Sequence, residues 1–183
     1  NKILHSKILG EGKPLIILHG LFGMLDNWQA LAKEFACFFE THILDLRNHG
    51  RSFHANQHNY EVMTEDLLSY LNAYNLDEVY LIGHSMGGKT AMTFACIYPE
   101  RVEKLVVVDI SPKYYPPHHQ EILSGLKAVD HSNLTSRKDA DQILSQYFSE
   151  SAMRQFLLKN LYWRSLTELT FKFNLKVLSD QIE

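Results

Sequence analysis

The chain has 183 residues, 45% of them apolar and 21% charged, the balance of a soluble globular domain with enough apolar material for a core. A formal net charge of −3 leaves no basic footprint and argues against nucleic acid as a partner. No apolar run approaches the roughly 18 residues of a membrane span. The opening "NKILHSKILG" lacks an apolar leader and a cleavage site, so the cytoplasm is the expected location and no membrane partner is expected. The first element predicted is a strand over 2–9, closed by the turn "EGK". "PLIILHG" (14–20) is a short continuous apolar run, the mark of a strand buried on both faces of a parallel sheet. In 27–36, Trp28, Leu31, Ala32 and Phe35 recur at helical spacing, with Asp26 or Asn27 as the expected N-cap. A strand over 39–46 follows, then a helix over 60–74 with Val62, Leu67, Leu68 and Leu71 on one face. A strand over 78–84, a helix over 86–98 and another buried strand over 102–110 complete this half.

Repeated strand–helix–strand units imply a mostly parallel sheet flanked by helices. Ligands on such sheets bind beyond the carboxyl ends of the strands. The polar and glycine-rich groups gather at those ends: His19-Gly20, Asp45 to Ser52, Ser85 and Asp109. After residue 110 the character changes. "SPKYYPPHH" (111–119) holds three prolines and is irregular. Three helical patterns follow, around Leu123 and Leu126, Leu144 and Tyr147, and Phe156 and Leu157. "LTFKFN" (169–174) alternates with period two and pairs with "LYW" (161–163) as a hairpin, before a last helical stretch. The expected division is a core over 1–110 and a mostly helical lid over 111–183. Cys37 and Cys96 lie far apart in apolar surroundings and are expected as buried free thiols.

"GHSMG" (83–87) fits G-x-S-x-G between a predicted strand and a predicted helix, the pattern of a nucleophile elbow. Such a turn is too tight for β-carbons at its flanking positions. It exposes the serine hydroxyl and aims the first free amides of the next helix at the same point. The nucleophile is Ser85, and Met86 supplies one oxyanion N–H. "LHGLFG" (18–23) sits at the end of a neighbouring strand. There the N–H of Leu21, or failing that of Phe22, is the second donor. His19 is expected as a hydrogen-bonder within this loop. "DLRNHGRS" (45–52) is expected to brace the elbow.

"HGLFG", "DLRNHGRS", "GHSMGGK" and "VVVDIS", in this order, resemble the α/β-hydrolase superfamily, and within it small bacterial carboxylesterases with a helical lid that also act on thioesters. The resemblance implies a serine hydrolase cleaving short- to medium-chain esters or thioesters through an acyl-enzyme, with no cofactor and no metal. It implies a triad acid at a strand tip, the position Asp109 occupies. The expected pocket is lined by His19, Gly20, Phe22, His84, Tyr115 and Phe156. Rival readings are a C–C bond hydrolase, a lyase or an acyltransferase on the same fold, or a non-catalytic binding protein.

The proton acceptor is harder to find. None of the chain's ten histidines follows a late strand, where this superfamily keeps its base. His118 and His119 at the lid entrance are the alternatives. About five strands are legible against the roughly eight the resemblance implies. Each strand–helix unit takes about 30 residues. The expectation is therefore that core strands and the catalytic histidine lie beyond this sequence, and that the last strand present leaves an open sheet edge.

Overall fold

The computed structural model describes residues 2–116, 119–132 and 134–181. The chain divides into two units, Asn1–Lys113 and Tyr114–Glu183.

In the first unit, five strands form one sheet: β1 (Ser6–Leu9), β2 (Pro14–Leu18), β3 (Glu40–Leu44), β4 (Val79–His84) and β5 (Val102–Val108). Their order is β1-β3-β2-β4-β5. β1 runs antiparallel to β3, and the other neighbours are parallel. Successive side chains of a strand face opposite ways, so β2 feeds two cores. Ile16 and Leu18 pack with Leu44 of β3 and with Met63, Leu67, Leu71 and Phe94, the last four carried by α2 (Tyr60–Ala73) and α3 (Met86–Ile97). Leu15 and Ile17 pack with Ile43, Leu25 and Ala32 on the side of α1 (Gln29–Phe35).

Three local expectations are corrected. Leu25–Trp28 forms a 3-10 turn before α1, and Asn27 Oδ1 accepts the Met24 N–H at 2.8 Å instead of capping a longer helix. The buried stripe of α2 is Met63, Leu67, Tyr70 and Leu71, with Val62 and Leu68 only partly covered. Its cap is Asn59, whose side chain accepts the Val62 N–H at 2.9 Å, one of the amides a helix start leaves unpaired. Cys37 and Cys96 are exposed free thiols. Cys96 shares α3 with the inward-facing Thr90, Ala91 and Phe94 but points elsewhere on the helix.

β5 also departs from expectation. It is not buried: Leu105 is 37% and Val106 51% exposed. Its apolar composition is that of an interior strand, yet it stands at the end of the sheet with β4 as its only strand neighbour among the described residues. Among the described residues its other edge pairs with no strand.

The second unit holds α4 (Gln120–Asp130), α5 (Arg137–Leu144), α6 (Ser151–Leu158), the strands β6 (Leu161–Trp163) and β7 (Leu169–Phe171), and α7 (Leu175–Gln181). β6 and β7 pair antiparallel as the hairpin expected. Leu123, Leu126, Val129, Ala140, Leu144 and Leu157 are all buried. Among the described residues no helix is long and apolar enough to cross a membrane.

Candidate active site

The parallel strands end along one edge of the sheet, and backbone strain gathers there. Five non-glycine residues among those described hold a left-handed φ: Phe22, Asn48, Asn75, Ser85 and Asp109. Four of them follow the ends of β2, β3, β4 and β5; Asn75 instead follows α2. Such conformations cost about 1–3 kcal/mol each and persist where the surrounding structure enforces them.

Ser85 is the sharpest case, with φ 51° and ψ −118° between the last residue of β4 and the first of α3. Its N–H donates to Val108 O at 3.0 Å, and its carbonyl accepts the Lys89 N–H at 3.0 Å. Neighbouring backbone leaves no room for side chains on either flank. A β-carbon on Gly87 would lie 2.5 Å from the carbonyl oxygens of both Leu18 and His19. One on Gly83 would run into Gly87 O and Gly88 Cα. Glycine at both positions lets α3 start directly against the tip of β2. The Ser85 side chain is half-buried, and among the described residues nothing hydrogen-bonds its hydroxyl. The N–H groups of Met86 and Leu21 are likewise without a partner among them. Gly20 presses on the elbow: a β-carbon there would sit 3.3 Å from Ser85 Cβ and 2.9 Å from His84 Nδ1.

The fallback donor is corrected. The Phe22 N–H donates to His49 Nε2 at 3.1 Å and is not available to an oxyanion. His19 is 1% exposed. Its Nδ1 donates to Gly20 O at 2.7 Å and its Nε2 accepts the Leu46 N–H at 2.9 Å, which leaves no ring nitrogen for a pocket. Burial pushes its pKa down to about 4, the Gly20 hydrogen bond opposing only in part. Burial also pushes His49 and His58 down to about 3. His58 Nε2 lies 3.3 Å from Met86 Sδ. Three neutral imidazoles thus line up behind the elbow, with centroids 5.1 Å apart for His19–His49 and 5.6 Å for His49–His58. The arrangement is not legible along the chain; its trace is one histidine in each of the segments 19, 49 and 58.

The 45–52 loop is tied through buried polar groups to the loop after β2 and to α2. Asp45 accepts the Leu25 N–H at 2.7 Å and the Arg51 N–H at 2.8 Å. Burial nevertheless raises its pKa above the usual carboxylate value. Arg47 grips Asp66 with both ends of its guanidinium, at 2.5 and 2.8 Å, the bidentate geometry that makes such pairs strong.

Asp109 stands at the tip of β5 with φ 55°, but its side chain is 87% exposed. His84 Nε2 is 3.9 Å from its carboxylate, and the His84 ring faces Trp28 at 6.3 Å. Lys89 is half-buried, its ammonium 5.8 Å from the centre of the Tyr60 ring. Tyr115 and Phe156 belong to the second unit, where both are partly covered. His118 lies outside the described residues; His119 is the residue preceding α4. Among the described residues no group of three His, Cys, Asp or Glu side chains is arranged to hold a metal ion.

Comparison with known proteins agrees with this geometry. Residues 13–156 match the family described as alpha/beta hydrolase fold, and the chain belongs to that family. A Haemophilus influenzae protein is 43% identical over 165 residues, covering 90% of this chain and 57% of its own length. Esterase YbfF of Escherichia coli is 38% identical over 172 residues, covering 93% of this chain and 66% of its own. This chain therefore spans less than two thirds of either relative. A solved structure, a marine microorganism esterase, superposes with a TM-score of 0.96 at 41% identity over all of this chain and 72% of that one.

Proposed function

We propose that this chain carries the nucleophile and both oxyanion donors of a serine hydrolase that cleaves short- to medium-chain carboxylic esters or thioesters. Ser85 Oγ attacks the acyl carbonyl and gives its proton to an imidazole. The carbonyl oxygen, now negative, is held by the N–H groups of Met86 and Leu21 at the positive end of α3. The C–O or C–S bond breaks, the leaving group takes the proton, and water then releases the acyl group by the same steps. The base is a histidine outside the described residues, and Asp109 fixes its tautomer. The names of the relatives as esterases support the ester class. One observation carries the reading: Ser85 is held at left-handed φ, and among the described residues its hydroxyl and the N–H groups of Met86 and Leu21 have no hydrogen-bond partner.

The test is p-nitrophenyl ester hydrolysis by the full-length gene product and its Ser85→Ala variant. Loss of about three orders of magnitude or more in kcat is expected for a missing nucleophile. Hydrolysis surviving in Ser85→Ala would reject the assignment.

A further inference from the structure

The two loops beside the elbow exchange imidazole–amide bonds. From the loop after β2, His19 Nε2 accepts the N–H of Leu46 at 2.9 Å. From the loop after β3, His49 Nε2 accepts the N–H of Phe22 at 3.1 Å. Each ring also donates from Nδ1 to a carbonyl of its own loop, Gly20 O at 2.7 Å and Arg47 O at 2.9 Å. A carbonyl only accepts, so the second bond fixes the proton on Nδ1 and leaves Nε2 as the acceptor in both rings.

This exchange bears on one peptide group. Gly20 C=O and Leu21 N–H belong to the same planar unit, and the described chain has no cis peptide bond, so the two groups point in opposite directions. The carbonyl is held by two donors, His19 Nδ1 at 2.7 Å and the Gly23 N–H at 3.0 Å. Its orientation sets that of the Leu21 N–H. The following peptide group is held by His49 through the Phe22 N–H, which keeps Phe22 at its φ of 58°.

We propose that His19 and His49 are positioning residues that aim the Leu21 N–H at the oxyanion, His19 through the Gly20 carbonyl and His49 through the Phe22 amide. The proposal rests on the hydrolase reading above. Neither ring touches substrate; both are at most 1% exposed. Their work is to keep a donor in place before charge develops. A donor removed outright costs about 10²–10³ in kcat, and one displaced by about 1 Å costs up to about 10².

Amide side chains separate the two bonds of each ring. The Gln amide reaches where Nε2 stood, and the Asn amide where Nδ1 stood. At position 49 the Nε2 acceptor matters, so His49→Gln should exceed His49→Asn in kcat by about tenfold. At position 19 the Nδ1 donor matters, so His19→Asn should exceed His19→Gln by a similar factor. KM for p-nitrophenyl butyrate should stay within about threefold in all four, since only the transition state is affected. A role confined to folding predicts the same order of variants at both sites, matched by their thermal midpoints. Equal kcat for Gln and Asn at both positions, or changes that follow stability alone, would overturn the proposal. If one pair proves insoluble, the other pair decides. Ser85→Ala, run alongside, tells the two failures apart: activity surviving there removes the hydrolase reading and the proposal with it, whereas activity lost there with equal Gln and Asn variants removes only the proposal.

Discussion

Lowering the pH from 7.5 to 5 should destabilise the fold steeply, because three imidazoles are buried without charge. His19 has its pKa pushed down to about 4, and His49 and His58 to about 3, burial being the first cause in each. In the unfolded chain each returns to about 6.5. Above pH 6.5 all three are neutral in both states and contribute nothing to the slope. Between 6.5 and about 4 the unfolded chain binds their protons and the folded protein does not, so stability falls as pH falls. At pH 5 the difference is about 1.5 pH units per group, or about 2 kcal/mol each at 1.36 kcal/mol per unit. Three groups together approach 6 kcal/mol, on the order of the whole stability of a typical domain. Urea unfolding of the full-length gene product, followed by tryptophan fluorescence at half-unit steps from pH 7.5 to 5, measures this directly. His58→Gln should reduce the proton uptake on unfolding by about one. An unfolding free energy that stays flat within about 1 kcal/mol across that range would refute the burial of neutral imidazoles behind the elbow.

The close approach at the elbow gives a second prediction. Gly87→Ala places a β-carbon 2.5 Å from two backbone oxygens and should cost about 3 kcal/mol or more, or prevent soluble expression. Gly125→Ala in α4 meets the Phe148 ring at 3.0 Å. Gain in helix propensity offsets that contact, so its urea midpoint should move by no more than about 1 kcal/mol. Asp109→Asn should lower kcat by about 10⁴ if Asp109 fixes the base's tautomer. It should leave the thermal midpoint unchanged, because the side chain is 87% exposed; wild-type kcat in this variant would move the acid elsewhere.

The readability of the chain followed from which signals lie within single segments. The run Leu15–Leu18 was legible as an interior strand because it is apolar at every position and buried on both faces. The elbow was legible because glycines at 83 and 87 answer a backbone contact that no side chain could satisfy. β5 was misread for the converse reason: Leu105 and Val106 look the same whether or not anything lies beyond them. Cys96 was misread because apolar neighbours in sequence did not mean burial: the adjacent Ile97 is itself 51% exposed near the end of α3. The occupancy of the Phe22 amide could not be read at all. A backbone N–H is present at every such position, and its partner His49 sits 27 residues away. The same distance hides the exchange between His19 and Leu46. The exposure of Asp109 is hidden in the sequence too, since the apolar residues before it do not show that the backbone turns it out at the strand tip.

In the proposed reaction Ser85 is the attacking group. Incubating the full-length gene product with a fluorophosphonate and mapping the adduct by tandem mass spectrometry tests that directly. The expected result is one adduct per chain, on Ser85, absent from Ser85→Ala. An adduct on any other residue, with Ser85 unmodified while ester hydrolysis is blocked, would contradict it.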